Sequence, residues 1–168
     1  MTDVRLYPIA LEHLDAEDVS GAALAAMLSL PEPPEWPPEH NDAATRQWMR
    51  EAYLADGWQP HWAGRYVVAS GDLVGIAGYF GPPGEDGTVE IGYAIIPSAQ
   101  RHGFASEAVR QLVAHAFDDV KVTRVRATTL ADGVASQGVL AKCGFVKTGG
   151  AVDPGDGPVW QFAVPRPN

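Results

Sequence analysis

The chain has very little cysteine, no pair of neighbouring histidines and no long apolar run, and each absence excludes a class of protein. Its single cysteine, Cys143, cannot form an internal disulfide, which agrees with a reducing compartment. The five histidines are scattered and none has a second ligand at zinc-site spacing, which argues against a metal site. No apolar run approaches the ~20 residues of a membrane-spanning helix, and residues 1–10 lack the pattern of a signal peptide. We therefore expect a cytoplasmic protein without a bound metal or membrane partner.

Basic residues are also scarce. The chain holds 12 Lys and Arg against 21 Asp and Glu, and residues 1–64 alone carry eleven acidic and three basic residues. Nucleic-acid binding needs a basic surface, so this balance argues against that function. The acidic N-terminal part would suit a cationic partner. Acids that only keep the surface soluble explain the same pattern equally well.

The size and composition fit one domain. With 168 residues, of which 46% are hydrophobic and 20% charged, the chain is long enough for one substantial core and resembles ordinary soluble proteins. No repeat or low-complexity tract divides it. We expect a single domain over residues 1–168.

Hydrophobic spacing and turn residues predict a mixed series of helices and strands. The first part predicts an edge strand over 4–9, helices over 15–30 with Asp15 as N-cap and over 42–55, and an extended proline-rich loop over 31–38. After residue 64 the pattern changes. It predicts a hairpin of strands 65–70 and 72–80, strands 88–96, 124–130 and 158–164, a helix ending at Phe117 and a shorter helix 134–142 that Gly144 terminates.

The most informative segment is a strand, a glycine turn and an amphipathic helix. The turn, Gln100–Ala105, opens a helix whose apolar residues fall at helical spacing: Ala105, Ala108, Val109, Leu112, Val113, Ala116 and Phe117. A helix N-terminus presents free N–H groups and a positive dipole, and Gly103 lets a ligand approach the backbone. The turn therefore suits a phosphate. Neither the phosphate-loop nor the dinucleotide fingerprint is present, and an ordinary turn has the same local pattern.

Two blocks of sequence resemble one family. Gln100-x-x-Gly103-x-Ala105, which follows the strand Glu90–Pro97, looks like the acetyl-CoA signature of the GNAT superfamily of N-acetyltransferases. A second block, Ala135–Phe145, is similar to the later helix of that family and the Gly-Phe after it. The resemblance covers residues 88–148 and is closest to the branch that includes the ribosomal-protein N-terminal acetyltransferases.

The resemblance implies a fold and a division of the chain. The fold is α/β (α+β), with three layers and a central mixed, mostly antiparallel sheet that splays at the CoA site and is flanked by helices. The acceptor side lies in residues 1–64, the CoA-binding core in 65–148 and a C-terminal strand in 158–164. Acetyl-CoA is implied as the cosubstrate.

By the same resemblance, specific residues bind the cofactor. The backbone of Ile95 and Ile96 pairs with the pantetheine arm, and Lys142 meets a CoA phosphate unless it is merely a solvated lysine. The pyrophosphate-binding turn comprises Gln100, Arg101, His102, Gly103, Phe104, Ala105 and Ser106.

The resemblance also implies direct attack of an amine on the thioester. We expect Glu90 to be the general base, although a structural hydrogen bond would explain it equally well. The tyrosine that many members use as general acid is replaced by Leu140, so that role is vacant. Ser136 could donate a hydrogen bond to the sulfur instead, unless it only bonds its own helix. Gly133 replaces an asparagine that contacts CoA. Cys143 has no activating histidine nearby in sequence, so we interpret it as a structural residue and not a nucleophile.

The acceptor and the assembly stay open. We expect an amine acceptor, either a small molecule or a peptide N-terminus, and a monomer or homodimer. Four tryptophans precede Ala63, and they suit either cation-π contact with a cationic amine or the core: Trp36, Trp48, Trp58 and Trp62. The alternatives are a catalytically inactive CoA-binding sensor or interaction module, and a nucleotide-binding enzyme that uses the same turn.

Overall fold

The computed structural model describes residues 3–168 as one seven-stranded sheet with helices on both faces. Two single 3-10 turns lie at Pro60–Trp62 and Pro97–Ala99. The other elements follow in this order: β1 (Val4–Pro8), α1 (Leu11–Val19), α2 (Gly21–Met27), α3 (Ala43–Leu54), β2 (Arg65–Ala69), β3 (Asp72–Tyr79), β4 (Thr88–Ile95), α4 (Phe104–Phe117), β5 (Arg124–Leu130), α5 (Val134–Lys142), β6 (Val146–Asp153) and β7 (Gly157–Pro165). None of the helices within residues 3–168 is long and apolar enough to cross a membrane.

The sheet is mixed and mostly antiparallel, with the order β1-β2-β3-β4-β5-β7-β6. Only β4 and β5 are parallel, and they pair from Thr88 opposite Arg124 to Ile91 opposite Ala127. Beyond that point β4 continues beside β3, and β5 continues beside β7. The two central strands therefore part after Ile91, which confirms the predicted fold with its splayed sheet.

Apolar residues cover both faces of the sheet. Helix α4 packs on β1, β3 and β4, and the residues that it buries at helical spacing include Ala108, Val109, Leu112 and Ala116, as the sequence predicts. On the other face, α1, α2 and α3 enclose a smaller cluster around Leu14, Leu24, Met49 and Tyr66. The buried residues of α4 extend from Ser106 to Ala116, so the helix packs along most of its length.

Two elements differ from the sequence prediction. The single helix expected over 15–30 is two helices, because Ser20 is extended and its side chain accepts a hydrogen bond (2.9 Å) from the N–H of Ala23, which starts α2. Asp15 therefore lies inside α1 and is not an N-cap. Strand β6 has no bounds that the sequence predicts, because its residues are largely exposed and lack an apolar alternation. Helix α3 begins after Asp42, whose carboxylate accepts a hydrogen bond from the N–H of Thr45.

Candidate active site

The turn before α4 presents consecutive backbone N–H groups without partners. The first hydrogen bond of the helix runs from the N–H of Glu107 to the carbonyl of Gly103 (3.1 Å). Among residues 3–168, no group accepts a hydrogen bond from the N–H groups of residues 101–106. A row of free donors at the positive end of a fourteen-residue helix is the arrangement that binds phosphates.

The backbone of this turn has an unusual conformation. Gly103 has φ +82° and Arg101 has φ +65°, so a left-handed residue occurs twice within three positions. Such alternation turns successive N–H groups toward one point and creates an anion-binding concavity. Arg101 pays a steric cost for this φ that glycine does not. The exposed Arg101 also brings a positive charge to the turn.

Two side chains of the predicted cofactor set bind the protein itself. The Gln100 amide donates to the Ile95 carbonyl (2.9 Å), so this side chain fastens the turn to the end of β4. The His102 ring hydrogen-bonds the Ala99 carbonyl (3.2 Å) and stacks on the Phe104 ring. Their side chains shape the turn, while the donors for a ligand are backbone groups.

The backbone groups that face the open side of β4 are not quite those expected. The N–H of Ile96 donates to the Val74 carbonyl in β3 (2.9 Å), so the prediction that Ile96 offers a free group is wrong for its N–H. Because the direction of the backbone N–H and carbonyl groups alternates along a strand, those of Tyr93 and Ile95 point away from β3. No strand pairs with them on that side among residues 3–168. Tyr93 was missed because its register is not visible in the sequence.

Two hydroxyl groups, those of Tyr93 in β4 and Ser136 in α5, lie where α5 contacts β4. The Tyr93 hydroxyl donates to the backbone carbonyl of Ser136 (3.2 Å), and burial raises the pKa of Tyr93 to about 12. Ser136 is half-buried in the first turn of α5. Leu140 is fully buried in the core, and its hydrocarbon side chain cannot donate a proton.

Cys143 and Lys142 follow at the end of α5. The Cys143 thiol donates to the Ser106 carbonyl (3.4 Å), and burial raises its pKa, which keeps the thiol protonated and poorly nucleophilic. This contact ties α5 to the first turn of α4. Lys142 is exposed, and among residues 3–168 it has no ion-pair partner.

Glu90 lies where β4 and β5 begin to part. Its Oε1 accepts from Arg126 Nε (2.9 Å) and from the Thr128 hydroxyl (3.3 Å), and Thr128 is the first β5 residue beyond the paired segment. Within residues 3–168 no donor contacts Oε2. Glu90 thus combines a structural ion pair with one oxygen that is open to a ligand.

Glu90 also lines a surface cleft of about 320 Å³, which we call the Glu90 cleft. Phe80 stands at its edge and is 60% exposed, and Trp48 lies 6.1 Å from it between ring centroids. Trp62, in contrast, is buried in the core. The lining residues are Phe80, Gly81, Pro82, Gly84, Asp86, Thr88, Glu90 and Arg126.

The N-terminal acids largely have partners within the protein. Asp18 pairs with Arg46 and Arg50, and the Arg46 hydrogen bond lowers the pKa of Asp18. Glu17 is buried and accepts hydrogen bonds from neutral donors: Trp36, Asn41 and Tyr66. Glu17 and Asp18 therefore stabilise the fold and are not free to bind a cationic partner.

The sequence matches one known protein family over most of its length. The family described as acetyltransferase (GNAT) domain matches residues 8–146. The chain belongs to the GNAT acetyltransferase family. This confirms the resemblance in the sequence. The uncharacterized N-acetyltransferase YoaA of Bacillus subtilis is 37% identical over 78 residues, 46% of this chain and 44% of that protein, and the chain spans less than half the length of the curated relatives that it matches.

Solved structures of this GNAT fold superpose over nearly the whole chain. RimL, a ribosomal L7/L12 α-N-protein acetyltransferase in complex with coenzyme A, has a TM-score of 0.71 at 19% identity and covers 98% of this chain and 95% of its own. A spermidine N-acetyltransferase chimera, in part from Vibrio cholerae, has a TM-score of 0.69 at 14% identity, with 96% and 95% covered. At these identities the likeness establishes the fold alone.

Proposed function

We propose that this chain is an acetyl-CoA-dependent N-acetyltransferase that transfers the acetyl group to a primary amine by direct attack while both substrates are bound. The observation that carries the proposal is the row of unpartnered N–H groups over residues 101–106, beside the point where β4 and β5 part. Membership of an acetyltransferase family supports the same reaction.

The turn fits the diphosphate of CoA. Six free donors, the dipole of α4 and the left-handed Arg101 and Gly103 all favour an anion at this place. The N–H groups of Tyr93 and Ile95 are available for the amide-bearing arm. CoA supplies an activated acyl group as its thioester. The exposed, positively charged side chain of Lys142 would pair with another phosphate of CoA.

Glu90 is the proposed general base. An amine arrives protonated at neutral pH and must lose a proton before its nitrogen can bond to the acetyl carbon. Glu90 Oε2 has no donor within residues 3–168, while Arg126 and Thr128 hold Oε1 in place. The fixed carboxylate then accepts the proton directly or through water.

Ser136 is proposed to donate a hydrogen bond that stabilises the leaving sulfur. Its hydroxyl lies in the first turn of α5, and its backbone carbonyl is held by Tyr93. No acyl-enzyme is needed, because the half-buried Cys143 thiol is protonated and already donates to the carbonyl of Ser106.

The reaction is tested by thiol release. Purified protein with acetyl-CoA and an amine panel, including polyamines, aminoglycosides and peptides with free N-termini, should release CoA thiol only when both substrates are present. CoA binding without thiol release from any amine would favour an inactive CoA-binding module. A rise in melting temperature with ATP or NAD but not with CoA would favour a nucleotide-binding enzyme.

A further inference from the structure

The charges of the Glu90 cleft are balanced. It contains two carboxylates, and each lies against an arginine: Asp86 Oδ2 is 3.0 Å from Arg124 Nη2, and Glu90 Oε1 is 2.9 Å from Arg126 Nε. A polycation entering this cleft would meet two carboxylates that are each already paired with an arginine. The cleft is therefore suited to a ligand that offers both a positive group and a hydrogen-bond acceptor.

The two arginines differ in how many donors they have left. Arg124 uses Nε on the Thr88 hydroxyl (2.7 Å) and Nη2 on Asp86. Arg126 uses only Nε, on Glu90. Within residues 3–168 its two terminal nitrogens have no acceptor, although its side chain is only 41% exposed. These nitrogens belong to the same guanidinium group whose Nε contacts Oε1 of Glu90.

An exposed aromatic pair completes the cleft. The Phe80 ring lies directly on Gly92, where an added Cβ would be 3.0 Å from two ring carbons. The glycine thus lets the ring lie close to the sheet at the splay. Phe80 is 60% exposed and Trp48 44% exposed, so together they offer an apolar surface next to the charged groups.

We infer that the Glu90 cleft binds the α-amino acyl group: an amine whose neighbouring carbon bears a carbonyl, with a large apolar or aromatic side chain. This rests on the proposed function and names its acceptor class. The amine meets Glu90 Oε2, the carbonyl oxygen accepts from the terminal nitrogens of Arg126, and the side chain lies on Phe80 and Trp48. An amine and a carbonyl on adjacent carbons match a carboxylate and a guanidinium that are themselves in contact.

The inference is tested by binding to the CoA-saturated protein, measured by calorimetry with small amines. The probes are phenylalaninamide, 2-phenylethylamine without the carbonyl, alaninamide without the ring, and spermidine. Phenylalaninamide should bind about tenfold or more tightly than 2-phenylethylamine, the effect of one hydrogen bond to a charged group. Spermidine binding more tightly than phenylalaninamide, or no phenylalaninamide binding up to its solubility limit, would overturn the inference.

Matched variants assign the effect to residues. Arg126→Gln should abolish the preference for phenylalaninamide over 2-phenylethylamine, whereas Arg124→Gln, which removes an arginine with engaged donors, should preserve it. Phe80→Ala should abolish the preference over alaninamide. A preference that survives Arg126→Gln in a folded protein contradicts the assignment, and if that variant does not fold, the wild-type probe series still decides.

Thiol release separates this inference from the proposed reaction. Phenylalaninamide that binds as expected, while no amine of the panel releases thiol from acetyl-CoA, would refute the reaction and leave the cleft assignment standing. Thiol release with spermidine but not with phenylalaninamide would refute the cleft assignment and leave the reaction standing.

Discussion

The turn at residues 101–106 and the Glu90 cleft are built in different ways. The turn consists of backbone donors from consecutive residues, and its shape depends on left-handed φ angles at Arg101 and Gly103. The cleft consists of side chains from separate strands, and its central ion pair joins residues 36 positions apart. The turn should therefore tolerate most side-chain changes except at its left-handed positions, whereas in the cleft the function should depend on two individual side chains, Glu90 and Arg126.

The largest effect is expected from Gly103→Val. A branched side chain at φ +82° is strongly disfavoured, so the backbone would leave this conformation and its N–H groups would no longer converge. We expect CoA affinity to fall by roughly 100-fold or more, which equals the loss of about two hydrogen bonds to a charged group. Calorimetry with CoA measures this.

Gly71→Val is the matched control for that variant. Gly71 has φ +85° in the turn between β2 and β3, away from the site, so it carries the same backbone strain. It should lower the melting temperature without changing CoA affinity. A folded Gly103→Val protein that binds CoA normally would show that the turn is not the diphosphate site.

A smaller effect, on turnover and amine binding but not on CoA affinity, is expected from Glu90→Gln. The amide keeps the shape but accepts a proton poorly, so kcat should fall by about 100-fold, the lower range for general acid–base catalysis. CoA affinity should be unchanged, because Glu90 lies outside the turn. Asp86→Asn, which alters the other carboxylate of the cleft, should have much less effect on kcat. Unchanged kcat of Glu90→Gln at saturating amine across a range of pH would remove Glu90 from the mechanism.

The same contrast explains what the sequence could predict. The turn is local, so Gln100 to Ser106 and the apolar stripe of α4 are visible as a pattern, and the strand order agrees with the family resemblance. Register is a property of two strands and is not visible in one of them. For that reason Ile96 was expected to offer a free N–H, whereas it donates to Val74 and the free groups belong to Tyr93 and Ile95.

The hydrogen-bond partners of individual side chains likewise could not be predicted from the sequence alone. Neither the Glu90–Arg126 ion pair nor the contact of Gln100 with the Ile95 carbonyl follows from spacing. The break at Ser20 was visible in principle as a helix-capping residue, but the alanine-rich sequence around it favoured one continuous helix. Functional assignments therefore need the structure most where side chains from different strands meet.

Ser136 lies between the two regions, and its replacement should have a modest effect. Ser136→Ala removes one neutral hydroxyl donor near the gap, so kcat should fall about fivefold, which corresponds to ~1 kcal/mol for one hydrogen bond. CoA affinity should change little. Ser98→Ala, at an exposed serine before the turn, is the control. An unchanged kcat for Ser136→Ala would leave the Tyr93 hydroxyl or water as the hydrogen-bond donor to sulfur.

The smallest effect concerns the far end of α4, which anchors the helix that carries the turn. There the His115 ring stacks on the His61 ring, with 3.8 Å between centroids, and its Nε2 lies 3.1 Å from the buried Arg65 guanidinium. Burial first, and nearby His61 and Arg65 further, lower the pKa of His115, while Asp118 and the His61 carbonyl oppose this. A histidine whose pKa is lower in the folded protein binds fewer protons than in the unfolded chain.

The contacts at this end of α4 should therefore contribute less to the free energy of unfolding in acid. The stability that depends on neutral His115 is fully present above the unfolded pKa of about 6.5 and is lost as the pH falls below it. Urea unfolding at a series of pH values should show a falling free energy of unfolding in this range, with a shallower slope for His115→Gln. Replacement of the exposed His40 by Gln should leave the slope unchanged. If His115→Gln retains the full wild-type slope, groups other than His115 cause the acid sensitivity. The contacts at this end of α4 would then not depend on protonation.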